Sequence, residues 1–176
     1  MQIPLSENKK FEGPGSIRSK KRIVRVIGFG NIYRSDDGIG IRVIEDISRS
    51  GGIKDIELID GGTSGIDLIF YLQNSDLVII IDAVDAGQQN AGIVVIKPYD
   101  IEKFQEIPFR SYSLHDFDLS EALTLAKKIG TRAQIIIIGI KPENTDFGEK
   151  LTSEIEKKIP RIISIVRQMI CEEKQS

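Results

Sequence analysis

Two adjacent carboxylates, Asp36 and Asp37, follow a pair of glycines in the stretch Ile27-Gly28-Phe29-Gly30-Asn31-Ile32-Tyr33-Arg34-Ser35-Asp36-Asp37-Gly38-Ile39-Gly40. Such a pair can cap a helix, move a proton or hold a cation. Capping accounts for one of them, because a single N-cap carboxylate accepts the orphan N–H groups and suits the helix dipole. The other needs a different explanation. Further carboxylates stand at Asp60 and Asp82, each directly after an apolar run. The chain has one histidine, His115, so any chemistry that needs an imidazole uses that residue. Two carboxylates and a neutral imidazole balance a divalent cation, and mixed oxygen and nitrogen donors suit nickel, zinc or iron. Clustered carboxylates repel one another, and a bound cation reverses that. On the residues alone His115 has a second reading, as a histidine at a helix start bonded to Asp116 or to backbone.

These residues have to be brought together by the elements around them. Val24, Val26 and Ile27 have the β-branched character of an inner strand, predicted over about 22–28. Gly28 and Gly30 allow a sharp turn and a close approach to the backbone. A helix follows over 38–49, with Ile39, Val43, Ile44 and Ile47 on one face, and Gly51-Gly52 ends it. A second strand over 56–59 runs into Asp60, and Ser64 with Asp67 resembles a capping pair for a helix over 65–73. A third strand over 77–81 ends in Asp82. Three successive strands thus deliver Asp37, Asp60 and Asp82 at their carboxyl ends. Neighbouring strands lie about 4.8 Å apart, so the three share one crest, where open α/β sheets bind ligands.

Residues 83–91 read as a loop and 92–97 as a strand. A parallel crossover needs a dozen or more residues and usually a helix, so this strand is predicted to run antiparallel at a sheet edge. Residues 98–111 look irregular. His115 precedes a helix that runs to about Lys128, with Asp118 and Glu121 as a capping-box-like start, and 133–140 is the last buried strand. Lys141 to Gly148 reads as a surface loop, and 151–171 as a final helix kinked at Pro160. The fold predicted is a single α/β domain over 22–176, with a mostly parallel five-stranded sheet and one antiparallel edge strand. Residues 1–21 are predicted to be a flexible amino-terminal tail.

Composition bounds the function. A chain of 176 residues with 40% hydrophobic and 28% charged content suits one soluble domain. A net charge of -2 gives no global attraction to nucleic acid or to an anionic membrane, and the basic run Arg18 to Arg22 reads as a solvated flank. The lone Cys171 excludes an internal disulfide and a cysteine-ligated structural zinc. The apolar runs are too short to span a bilayer, and the amino end lacks the apolar core of a signal peptide. Cytoplasmic location is expected, without membrane insertion. The Gly28-Phe29-Gly30 pair invites a dinucleotide reading, but Tyr33 holds the position of the fingerprint's third glycine. Two carboxylates at the helix start would also repel a pyrophosphate. There is no Gly-x-Ser-x-Gly elbow, and Cys171 lies far in sequence from His115, so a serine or cysteine nucleophile has no support.

The stretch from Ile27 to Gly40 resembles the amino-terminal signature of the hydrogenase maturation endopeptidases. Asp60-Gly61-Gly62-Thr63-Ser64-Gly65, Asp82-Ala83-Val84-Asp85-Ala86-Gly87 and Ser113-Leu114-His115-Asp116-Phe117-Asp118-Leu119 resemble their second, third and fourth motifs. The resemblance covers about residues 22–171. It implies a twisted sheet with helices on both faces, a three-layer helix–sheet–helix arrangement. It also implies an endopeptidase that trims the carboxyl-terminal extension from the precursor of a nickel–iron hydrogenase large subunit after nickel insertion. The nickel is then supplied by the substrate and recognised by the enzyme. By position, Asp37, Asp60 and His115 become the metal ligands, and Asp82 and Asn31 support the ligands without binding. On chemical grounds the expected nucleophile is a metal-bound or carboxylate-activated water, positioned by Asp37 or Asp60. A monomer is expected. Two rival readings are a non-catalytic, nickel-dependent checkpoint or chaperone for the precursor, and a nucleotide-binding α/β domain.

Overall fold

The computed structural model describes residues 21–89, 91–97, 110–112 and 119–174. The expected tail thus lies outside the described residues apart from Lys21, which pairs with Asp55. The first strand, β1 (Val24–Phe29), is buried at every position except Arg25. It lies between two parallel neighbours, β2 (Ile56–Gly62) and β3 (Leu77–Asp85). Next to β3 runs β6 (Gln134–Ile140), also parallel, and β4 (Ile93–Ile96) closes that edge antiparallel to β6. The order is therefore β2-β1-β3-β6-β4. The mostly parallel sheet with one antiparallel edge stands as predicted. A sixth strand, the two-residue β5 (Arg110–Ser111), pairs antiparallel with the end of β3, in a stretch expected to be irregular.

Helices cover both faces. On one, α1 (Ile39–Arg49) buries Ile39, Val43, Ile44 and Ile47, the stripe its periodicity predicts. Beside it, α5 (Ile159–Lys174) buries Ile162, Val166 and Ile170 in the same core. On the other, α2 (Asp67–Leu72) and α3 (Leu119–Lys128) bury Leu68, Leu72, Ala122, Leu123 and Ala126. Each fully buried Leu or Ile side chain contributes about 1.5–3 kcal/mol relative to exposure. Because β3 is covered on both faces, Leu77 through Val84 are all buried, which explains a continuous apolar run in place of alternation.

Several boundaries differ from expectation. Strand β2 continues through Asp60 to Gly62, and β3 through Asp82 to Asp85, so both carboxylates sit within strands. Helix α2 starts at Asp67 with Ile66 as N-cap and no side-chain cap, so Ser64 and Asp67 do not act as the expected pair. The predicted final helix is two helices, α4 (Ser153–Glu156) and α5. Pro160 does not kink a helix. It stands in the first turn of α5, where its missing N–H has no intrahelical partner to lose.

Candidate active site

Strand pairing sets the crest. Gly28 of β1 lies opposite Asp60 of β2 and Ile81 of β3, and Asp82 lies opposite Gly139 of β6. The chain leaves β1 at Gly30, turns through 31–34, enters a short 3-10 helix at Ser35–Gly38 and continues into α1. The glycines make this turn possible by letting backbone meet backbone. A Cβ on Gly28 would overlap the Gly40 carbonyl, one on Gly40 would overlap the carbonyls of Phe29 and Ile81, and one on Gly30 would overlap the carbonyl of Asp37. The space beside Gly28 and Gly30 is thus filled by the chain's own helix start, which is where a dinucleotide reading would have put its ligand.

The two adjacent aspartates part company here. Neither the 3-10 helix nor α1 has a side-chain cap, so the capping role foreseen for one of them is not the one found. Asp36, fully buried, instead accepts the N–H groups of Glu143 (3.0 Å), Asn144 (3.0 Å) and Thr152 (2.6 Å) and the Thr152 hydroxyl (3.0 Å). It is a buried anchor for the segment between β6 and α4, which was expected to be merely a surface loop. The backbone repeats the attachment. Ser35 N–H donates to Gly148 O (2.7 Å), Asp36 N–H to Asn144 O (3.0 Å), and Gly148 N–H to Tyr33 O (3.0 Å). Ser35 holds a left-handed φ of 47°, strain that these bonds offset. Asp37 is 1% exposed and belongs to the same turn, its N–H donating to Arg34 O at 3.0 Å.

Asp60 is exposed, and its Oδ1 accepts the Gly62 N–H at 2.9 Å. Gly62 O accepts the Gly30 N–H at 2.9 Å, which stitches the Asp60 turn to the loop that leads to Asp37. Asp82 is fully buried and accepts the Ser111 hydroxyl at 2.5 Å. Tyr112 N–H donates to Ala83 O at 3.0 Å, so the chain is fastened at the crest three residues before His115 in sequence. His115 itself lies outside the described residues, as do Asp116 and Asp118. Asn31 closes the turn through its Oδ1, which accepts the Tyr33 N–H at 3.0 Å. Further along the crest Lys141 pairs with Asp85 at 3.0 Å. The Gly87 N–H and then the Lys141 ammonium hold the Asp85 carboxyl below its ordinary range.

The crest therefore gathers a buried and an exposed carboxylate on adjoining turns, a combination able to bind a cation or direct a water. Among the described residues no three His, Cys, Asp or Glu side chains form a metal site by themselves. Sequence reasoning missed the roles of Asp36, Thr152 and Ser111. Asp36 reaches partners 107 to 116 positions away, a separation that no local pattern signals. No helix among the described residues is long and apolar enough to cross a membrane.

A family profile described as "Hydrogenase maturation protease" matches residues 41–169. The chain is 29% identical over 157 residues to the hydrogenase expression/formation protein HupD of Bradyrhizobium diazoefficiens, covering 88% of this chain and 81% of that one. It is 28% identical over 141 residues to the hydrogenase 2 maturation protease of Escherichia coli, covering 77% and 83%. Among solved structures, the hydrogenase maturating endopeptidase HybD from E. coli superposes with a TM-score of 0.73 at 24% identity, over 86% of this chain and 93% of that one.

Proposed function

This chain belongs to the hydrogenase maturation protease family and is an endopeptidase, and from that premise we propose that it removes the carboxyl-terminal extension of a nickel–iron hydrogenase large-subunit precursor after nickel insertion. In this reading the nickel arrives with the substrate and is gripped by Asp37, Asp60 and His115. The observation that carries it is the stitching of the Asp60 turn to the Asp37 turn through Gly30 and Gly62. Carboxylate donors on adjoining turns suit the set expected for nickel, to which His115 adds a nitrogen donor. Tyr112, fastened to Ala83, supports this assignment, because three residues reach at most about 11 Å.

The chemistry is hydrolysis. A water held by Asp37 or Asp60 attacks the scissile carbonyl carbon, the carboxylate takes the water's proton, and the C–N bond breaks as that proton passes to the leaving amine. Asp82 and Asn31 act on the shape of the site. Nickel–ligand bonds make binding of the loaded precursor stronger than that of the empty one, so selectivity follows from differential binding. A single cysteine suits the reducing cytoplasm, and the enzyme acts as a monomer in this reading.

The test incubates purified protein with nickel-loaded and nickel-free precursor and follows the precursor mass. Trimming of the loaded form alone is expected, abolished in Asp60→Ala and His115→Ala. Normal trimming by Asp60→Ala would refute the assignment. Binding of loaded precursor without any loss of mass would refute the hydrolytic role on this substrate.

A further inference from the structure

Phe147 is 91% exposed and Tyr33 56%, and Phe147 is the most exposed large apolar side chain among the described residues. The parallel bridge between Arg34 and Gly148 sets their predecessors, Tyr33 and Phe147, side by side, with about 4.8 Å between paired backbones. The support beneath them is stiff. Ser35 Oγ donates to Asp146 O (3.1 Å), Arg34 Nε to Thr145 O (3.1 Å), and Asp146 N–H to Asn144 Oδ1 (2.8 Å). Asp36 fastens the same segment from below. An aromatic ring in water is unfavourable, and a segment held at so many points had no need of one for folding. Tyr33 belongs to the turn that leads into the Ser35–Gly38 helix and Asp37, and the bridge brings the Phe147 backbone beside it.

We propose that Tyr33 and Phe147 form an aromatic lip that takes an apolar side chain of the precursor polypeptide beside the bond that is cut. The inference rests on the endopeptidase reading of the Asp37 site. Tyr33 lies four residues before Asp37, within reach of a polypeptide that brings a carbonyl to that carboxylate, and the rings carry no charge that would call for a charged partner. The backbone that carries them is held before binding, so covering the rings costs side-chain rotamer freedom but no ordering of the loop.

The experiment measures Kd and KM of the nickel-loaded precursor for the wild type, Phe147→Ser, Tyr33→Ser, Phe147→Leu and Phe70→Ser. Phe70 is another exposed ring, placed on α2. Phe147→Ser is expected to raise Kd and KM about tenfold or more, as burial of a phenyl group requires, with kcat within about twofold. Tyr33→Ser acts in the same direction, Phe147→Leu restores most of the loss, and Phe70→Ser matches the wild type. An unchanged Kd in Phe147→Ser overturns the proposal, as does a wild type that does not bind the precursor. So does a change in self-association by size exclusion with precursor binding intact. A wild type that binds but does not cut refutes the endopeptidase reading on this substrate, while the Kd comparison still decides the lip.

Discussion

Replacing Asp36 tests the division of labour between the two adjacent aspartates. Its carboxylate serves four donors, three backbone N–H groups and one hydroxyl, in a fully buried position. A buried donor left without an acceptor costs about 1–3 kcal/mol, so four left fully stranded would cost about 4–12 kcal/mol. The segment from Glu143 to Thr152 will relax toward water, which brings the expectation for Asp36→Ala to about 3–5 kcal/mol, near the low end of that range. Against a total of about 5–15 kcal/mol for a domain, that is a large share. Asp36→Asn keeps one oxygen but turns an NH2 group toward N–H donors, and should cost about 2–3 kcal/mol. Asp37→Asn should cost less stability than Asp36→Ala, since it keeps the size and one oxygen of the side chain, while slowing precursor cleavage about a hundredfold or more. Urea unfolding followed by circular dichroism gives the first set of values, and precursor mass against time gives the rate. Asp36→Ala within about 1 kcal/mol of the wild type would refute the anchor role. Asp37→Asn that cuts at the normal rate would refute the division of roles.

Two further outcomes follow from the same framework. Gly40→Ala would drive a Cβ into the carbonyls of Phe29 and Ile81, backbone atoms of central strands that have nowhere to go; a loss of about 3 kcal/mol, read as a fall in Tm of about 6–12 °C, is expected by calorimetry, and an unchanged Tm would refute the close approach. Asp85 has a folded pKa below its unfolded value near 3.8, so its pairing with Gly87 N–H and Lys141 stabilises the fold above that pH and the contribution is lost as the pH falls through the folded value. Asp85→Asn should therefore be less stable at pH 7 by less than about 1 kcal/mol, the pair being partly exposed, with the gap closing below pH 3.8; a gap that persists in acid would contradict the pairing.

Much of the crest was legible because it follows from short-range rules. The apolar stripe of α1 and the continuous run of β3 identify a helix laid on a doubly covered sheet, and carboxylates directly after such runs fall at one end of it. The antiparallel course of β4 followed from a connection too short for a crossover. The strand ends were read too short at Asp60 and Asp82, because glycine and aspartate are depleted in strands and here the neighbouring strands override that preference. Pro160 was misread as a kink, since proline breaks a helix interior but is tolerated in its first turn. The clamp on Asp36 had no local signature at all. Its partners come from a loop and from the entry to α4, joined to it only when β6 returns the chain to the crest.

That clamp explains why the sequence carries two carboxylates where one would serve the chemistry. In a 3-10 turn successive side chains diverge by about 120°, so Asp36 and Asp37 cannot face the same way. One is directed at the segment from Glu143 to Thr152, and it fixes the turn by charge-assisted bonds. The other belongs to the side held against Gly30, whose missing side chain lets the Asp37 backbone close onto the strand end. A reactive carboxylate on a free loop would lose orientation each time the loop moved, and small misplacements are costly in rate. Here the neighbour that looks redundant is what keeps the turn in one place. The same fastening holds the backbones of Tyr33 and Phe147, so the reacting group and the substrate contact proposed above would be carried on one stiff unit.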